Sequence, residues 1–229
     1  MVNQLQQTPS NSWTTRREEK HRRIQSVQPW MQGPILSPEK IVDALELLIK
    51  SRDRIVLEGD NQKQADFLSR SLVKVDPKKL QDLHLIISSI SRPEHLTLFE
   101  LGIAKKVDFS FAGPQSLRLA QLLEDGKIEV GAIHTYVELY ARLLIDLIPD
   151  VVLVCAEQAD EQGNLYTGPN TEESARIDVH GNDNKISIDQ NANSQLGDIG
   201  GFSSDQKENG RTSLPKCMIL CFDSDIRIN

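Results

Sequence analysis

Arg54-Ile-Val-Leu-Glu-Gly-Asp-Asn-Gln-Lys-Gln-Ala-Asp-Phe-Leu68 decides how this chain folds. Arg54 to Glu58 read as a short β-branched strand, followed by a polar turn. Ala65, Leu68, Leu72 and Val75 then recur at helical spacing. Strand, tight polar turn and helix is the geometry that aims backbone N–H groups and a helix start at an anionic ligand. In that reading Gly59 brings the backbone close to the ligand and Asp60 caps the helix. Asn61, Gln62 and Gln64 offer neutral donors just beyond the strand.

The same alternation repeats downstream. Asp82 to Ser89 is expected to be a second strand and Pro93 to Ala104 a second helix. Val107 to Ala112 is a third strand, ending in the turn Gly113-Pro114-Gln115. Ser116 is expected to cap a helix through Leu123 that Gly126 closes. Ile128 to Ile133 is a fourth strand. His134 to Leu147 is a long helix, with Val137, Tyr140, Leu144 and Leu147 on one side. Val151 to Ala156 is almost wholly apolar, so it should be a central strand covered on both faces. The predicted fold class is therefore α/β, a mostly parallel sheet with helices on both faces.

In such a sheet the ligand lies outside the carboxyl ends of the strands. The turns at Gly59–Gln64, Ser88–Pro93, Gly113–Ser116 and His134–Tyr136 should then surround one crevice. Asp60, Asn61, Gln64, Gln115, Ser116, His134, Glu138 and Asn164 are its candidate polar residues. Gly113-Pro114 reads equally as a ligand contact or as a plain turn. His134, at a strand's carboxyl end, has functional and structural roles open. His84, between Leu83 and Leu85, reads as a satisfied structural histidine. Glu100 and Glu138 lie on helices, where a solvated or capping carboxylate is the default. The opening turn lacks the phosphate-loop pattern and Gly-x-Gly-x-x-Gly, and the chain has no Gly-x-Ser-x-Gly elbow, which disfavours a nicotinamide cofactor and a serine hydrolase.

The 229 residues suffice for one large domain, or one domain with tails, and 38% of them are hydrophobic. A net charge of −7 argues against nucleic acid as a partner. No run approaches the roughly 18 apolar residues of a membrane span. Cys155, Cys217 and Cys221 form an odd set without metal spacing, which suggests a reducing compartment and a cytoplasmic location. Residues 1–36 form a basic segment and linker. Trp13 to Ile24 is basic and helix-capable, and Glu18 and Glu19 argue against a transit peptide. The run reads as a solvated helix face or as a dock for an acidic partner or phosphate. Pro29, Gly33, Pro34 and Pro38 mark the linker. Ser37-Pro-Glu-Lys40 then opens a helix whose apolar face is Ile41, Leu45, Leu48 and Ile49.

Five motifs carry a family resemblance. They are Leu57 to Leu68, Asp108-Phe-Ser-Phe-Ala-Gly-Pro-Gln-Ser116, Gln121-Leu-Leu-Glu-Asp-Gly126, Gly131-Ala-Ile-His-Thr-Tyr136 and Gly163-Asn-Leu-Tyr-Thr-Gly-Pro-Asn-Thr171. In this order they resemble the alpha subunit of bacterial malonate decarboxylase, from about Trp13 to about Glu172. That family's fold is similar to the family I CoA-transferases. The resemblance implies an acyl-carrier-protein transferase, in which malonate displaces acetate from the acetyl-S-carrier protein to give malonyl-S-carrier protein. It implies partners as well: the acyl carrier protein, the other malonate decarboxylase subunits, malonate and acetate. No cofactor is expected on this chain, since the reacting thiol belongs to the carrier's phosphoribosyl-dephospho-CoA arm. Gly59, Asp60, Asn61, Gln64, Gly113, Pro114, Gln115, Ser116, His134 and Asn164 become candidate contacts to the thioester, and no residue matches the CoA-transferase nucleophile. Bulk at Gly59 or Gly113 is expected to block transfer in a protein that still folds.

Residues 37–172 make up the α/β unit in this reading, and 173–229 an unmatched tail. The tail, rich in Gly, Ser, Asn and Asp, is expected to be largely disordered and foreign to the family. Within it Lys185 to Asp189 alternates briefly, and the apolar run Leu214 to Phe222 has no obvious sheet to join. The alternative functions are a non-catalytic piece that only binds partner subunits and, from fold alone, a sugar-phosphate isomerase.

Overall fold

The computed structural model describes residues 13–32, 35–59, 65–156, 158–159, 165–166, 185–188 and 216–221. The chain opens with helix α1 (Trp13–Val27), a small hairpin of β1 (Met31–Gln32) and β2 (Ile35–Leu36), and helix α2 (Ile41–Leu48). The alternating core follows: β3 (Arg54–Leu57), α3 (Asp66–Leu72), β4 (Leu83–Ser89), α4 (Pro93–Glu100), β5 (Ala104–Phe111), α5 (Ser116–Glu124), β6 (Glu129–Ile133), α6 (Tyr136–Ile145) and β7 (Val151–Ala156). Short strands β8 (Gln158–Ala159) and β9 (Leu165–Tyr166) pair with each other, and β10 (Lys185–Ile188) and β11 (Lys216–Cys221) come last.

Strands β7-β3-β4-β5-β6 lie side by side, every neighbouring pair parallel. Chain order runs outward from β3 to β6 and then returns past β3 to β7, so the winding reverses between β3 and β7. Right-handed crossovers put the outward helices on one face and the returning helix on the other. The packing agrees. Ile55, Leu57, Leu85, Ile87, Val151 and Leu153 face α2 to α5 in the main core. Val56, Ile86, Val152 and Val154 face Leu139 and Leu147 in a smaller one. This double coverage is why β3 and β7 carry almost no polar residue. Strand β6 is the outer edge of the sheet, and Val130 and Ile133 on it are exposed.

Three local expectations need correction. Helix α3 begins at Asp66 after Ala65, so Asp60, which lies outside the described residues, is too far upstream to cap it. Ser116 is already inside its helix, behind a 3-10 turn at Gly113–Gln115, and caps nothing; Gly126, at φ +66°, does close that helix. On α6 the buried side is Leu139, at 2% exposure, while Val137 stands 79% exposed. Thr135 sets this phase: its hydroxyl accepts from the Glu138 N–H, and the helix starts one residue later.

The N-terminal helix is more than a solvated face. Arg23 reaches from α1 to the Leu48 carbonyl (3.1 Å) and grips the buried Asp53 carboxylate with both terminal nitrogens. The apolar run near the C-terminus does find a sheet. β11 pairs antiparallel with the open side of β7, and β10 pairs with β11. The rest of the tail lies outside the described residues.

Candidate functional site

The winding reverses between the parallel neighbours β3 and β7, and in a doubly wound sheet the carboxyl ends at such a reversal are where a crevice is expected. Glu58 lies at this reversal. Its carboxylate is buried, Oε2 accepts from the Cys155 N–H at 2.6 Å, and its own N–H donates to the Leu153 carbonyl. The Ala65 N–H donates to the Glu58 carbonyl at 3.0 Å. The excursion from 59 to 64 therefore leaves and re-enters the fold at one pinched neck. Asp60, Asn61, Gln62 and Gln64 lie outside the described residues, as does Asn164.

Two neighbouring turns meet this neck. Ser91 donates its hydroxyl to the Gly59 carbonyl at 2.9 Å, and Ile90 N–H donates to the Phe111 carbonyl at 2.8 Å. Gly113, at φ +52°, turns the chain directly after Phe111, and Pro114, Gln115 and Ser116 follow along the rim. Gly59 is glycine for a different reason than expected. A Cβ there would stand 2.5 Å from the Ser89 carbonyl oxygen and 2.6 Å from Ile87 Cγ2. The close approach is to strand β4, so bulk at Gly59 strikes the fold itself.

His134 does not join this rim. It is fully buried, and Nε2 lies 2.7 Å from Asp108 Oδ1 on the α6 face of the sheet. Asp108 Oδ2 is 2.6 Å from His84 Nε2, so one buried carboxylate bridges two imidazoles. Arg142 of α6 stands 3.8 Å from Asp108 Oδ1, and Glu138 Oε1 is 3.3 Å from His134 Nδ1. Burial pushes the Asp108 carboxyl up, but the hydrogen bonds from His134 and His84 outweigh it and hold the group below its ordinary value. Gly131 makes room for this hub: a Cβ there would fall 2.0 Å from Asp108 Oδ2. His84 is thus the satisfied histidine expected, Glu138 flanks the cluster, and Asp108 is the member that sequence reasoning missed. The available signal was strand parity, since Asp108 shares the face of Ile86, its register partner.

His95 sits beneath the Gly59 turn, with Nε2 3.5 Å from Ser69 Oγ and no hydrogen-bond partner for Nδ1 among the described residues. Burial drives its pKa from 6.5 down to about 4. An unfolded chain takes up that proton first as pH falls, so stability is lost between pH 6.5 and 4, about 3 kcal/mol in all. Denaturant titrations at pH 7 and pH 5 are expected to differ by about 2 kcal/mol more in the parent than in His95→Gln. Equal differences in both proteins would refute a neutral buried His95.

The architecture is that of a doubly wound α/β unit whose winding reverses between β3 and β7. A family model described as malonate decarboxylase, alpha subunit, transporter, matches residues 12–193. The chain belongs to this family, and the match runs on past Glu172. A curated relative from Malonomonas rubra, "acetyl-S-ACP:malonate ACP transferase", is 52% identical over 136 residues, 59% of this chain and 24% of the relative. Among solved structures, a Pseudomonas malonate decarboxylase hetero-tetramer in complex with malonate matches at 64% identity and TM-score 0.69, over 71% of this chain and 30% of the solved chain. The alpha subunit from Acinetobacter baumannii matches at 55% identity and TM-score 0.67, over 70% and 30%. The chain thus spans about a quarter of the curated relative's length. None of the described helices is long and apolar enough to cross a membrane.

Proposed function

We propose that this chain forms the opening unit of a cytoplasmic acyl-carrier-protein transferase. The net exchange breaks the acetyl thioester of the carrier, forms a malonyl thioester on the same sulfur and releases acetate. The 52% identity to the acetyl-S-ACP:malonate ACP transferase carries this reading. The chain's working surface is the rim at Gly59, Ser91 and the Gly113–Ser116 turn. Backbone N–H groups held at a strand-end rim are preorganised donors for the oxyanion that develops as malonate meets the thioester carbonyl. The same rim receives the carrier's phosphoribosyl-dephospho-CoA arm and keeps its thiolate near the acyl group. The chain works with the carrier protein and the other decarboxylase subunits, as the hetero-tetrameric Pseudomonas relative suggests.

The test is exchange itself. The assembly containing this chain is purified and given acetyl-S-carrier protein with isotope-labelled malonate. Label should appear on the carrier thioester as acetate is released one for one. An assembly that holds the chain but transfers no label would overturn the transferase reading in favour of a chain that only binds partner subunits.

A further inference from the structure

Cys155 and Cys217 are register partners across β7 and β11. The kind of partnership can be read from the backbone. The Leu153 carbonyl accepts from the Glu58 N–H, and the Cys155 N–H donates to the Glu58 carboxylate. Along a strand the N–H and C=O of one residue point the same way and alternate from residue to residue. Leu153 and Cys155 therefore direct their backbone groups towards β3, and Val152 and Val154 direct theirs towards β11. Cys155 and Cys217 consequently form a non-hydrogen-bonded antiparallel pair. At such a pair the Cα atoms approach to about 4.5 Å and the side chains are at their closest. A disulfide needs Cα atoms roughly 4.4–6.8 Å apart.

We infer that Cys155 and Cys217 are a dithiol pair that oxidation converts to a cross-strand disulfide, fixing β11 to β7 beside the crevice. The third cysteine sharpens the inference. Cys221 is the register partner of Val151. It lies four residues along the strand from Cys217, about 14 Å at strand rise, beyond the reach of either other cysteine. Of the three possible linkages the sheet permits one. The oxidant is a low-molecular-weight disulfide: two protein thiols become one protein disulfide, and the reagent is reduced to two thiols by exchange through a mixed disulfide. A long loop is closed in the process, so the linkage restrains a large part of the C-terminal sequence. In a reducing compartment the pair rests as thiols and links when the thiol buffer becomes oxidising.

The full chain is equilibrated in buffers of reduced and oxidised glutathione, quenched by alkylation, digested and mapped by mass spectrometry. The expected result is a 155–217 linkage, a loss of about 2 Da in intact mass, and slower amide exchange across 216–221 in the oxidised protein. Cys155→Ser and Cys217→Ser should each abolish both changes, and Cys221→Ser should leave them intact. A 155–221 or 217–221 linkage, or glutathione adducts on Cys155 and Cys217 with no internal link, would overturn the inference. Neither outcome bears on carrier-protein transfer, which the exchange assay tests separately.

Discussion

Gly59→Ala is expected to destabilise the chain by about 3 kcal/mol, and Gly59→Val by more. The added Cβ would lie 2.5 Å from the Ser89 carbonyl oxygen and 2.6 Å from Ile87 Cγ2. The first of these is backbone at the carboxyl end of β4, where Ser89 is the register partner of Phe111, and the second is a branched side chain packed in the main core. Neither can retreat as the tip of a flexible side chain would. The neck also carries the Glu58–Cys155 contact and the Ser91–Gly59 bond, so displacing it disturbs both strands of the reversal point. Guanidinium unfolding of the two variants beside the parent measures the effect. A midpoint for Gly59→Ala within error of the parent would show that strand β4 yields there. Gly113 contrasts: a Cβ there meets nothing closer than 3.4 Å, although its φ of +52° strains any L side chain. Gly113 is therefore the better position at which to ask whether bulk at the rim blocks transfer without unfolding.

Asp108→Ala is expected to cost about 3 to 5 kcal/mol, as breaking a buried ionic partnership does. The carboxylate accepts from His84 and His134 and faces Arg142, so its loss strands two buried ring nitrogens together. Asp108→Asn keeps the shape and one acceptor, and a tautomer change at one imidazole can receive the new amide donor. It should cost no more than about 1 kcal/mol. Gly131→Ala supplies an independent check, because its Cβ would push Asp108 Oδ2 off His84 without removing the acid. Thermal unfolding of the three variants should rank Asp108→Ala as most damaging. If Asp108→Ala and Asp108→Asn proved equally mild, the cluster would not hold α6 to the sheet.

Much of this architecture is legible in the sequence because its strands are covered on both faces. Ile55 to Leu57 and Val151 to Val154 have no solvent side, and their unbroken apolar runs say so. Helix ends marked by strong local chemistry, such as Gly126, are legible for the same reason. What depends on register is not. Asp108 looks like an outward polar residue in Asp-Phe-Ser-Phe until the pairing with β4 and β6 places it over Gly131 and beside two histidines. The phase of α6 is set by the Thr135 cap, and apolar Val137 misleads because it stands exposed on a helix that covers a narrow strip of sheet. The apolar segment at 216–221 has no local clue to its neighbour, since that neighbour is the far side of β7. At the rim, Gly113 to Ser116, Gly59 and Ser91 come together, whereas His134 turns to the other face because the bulge in β6 carries it past the strand end.

The pinched neck at Glu58 and Ala65 has an evolutionary corollary. Because the entry and exit of the excursion are tied at one point, the segment between them can lengthen or change composition while the framework stays as it is. Doubling such a loop costs only about 0.6 kcal/mol in closure entropy. The composition of this segment and the durability of the fold are thereby separable traits, and relatives can vary the one without re-solving how the sheet assembles.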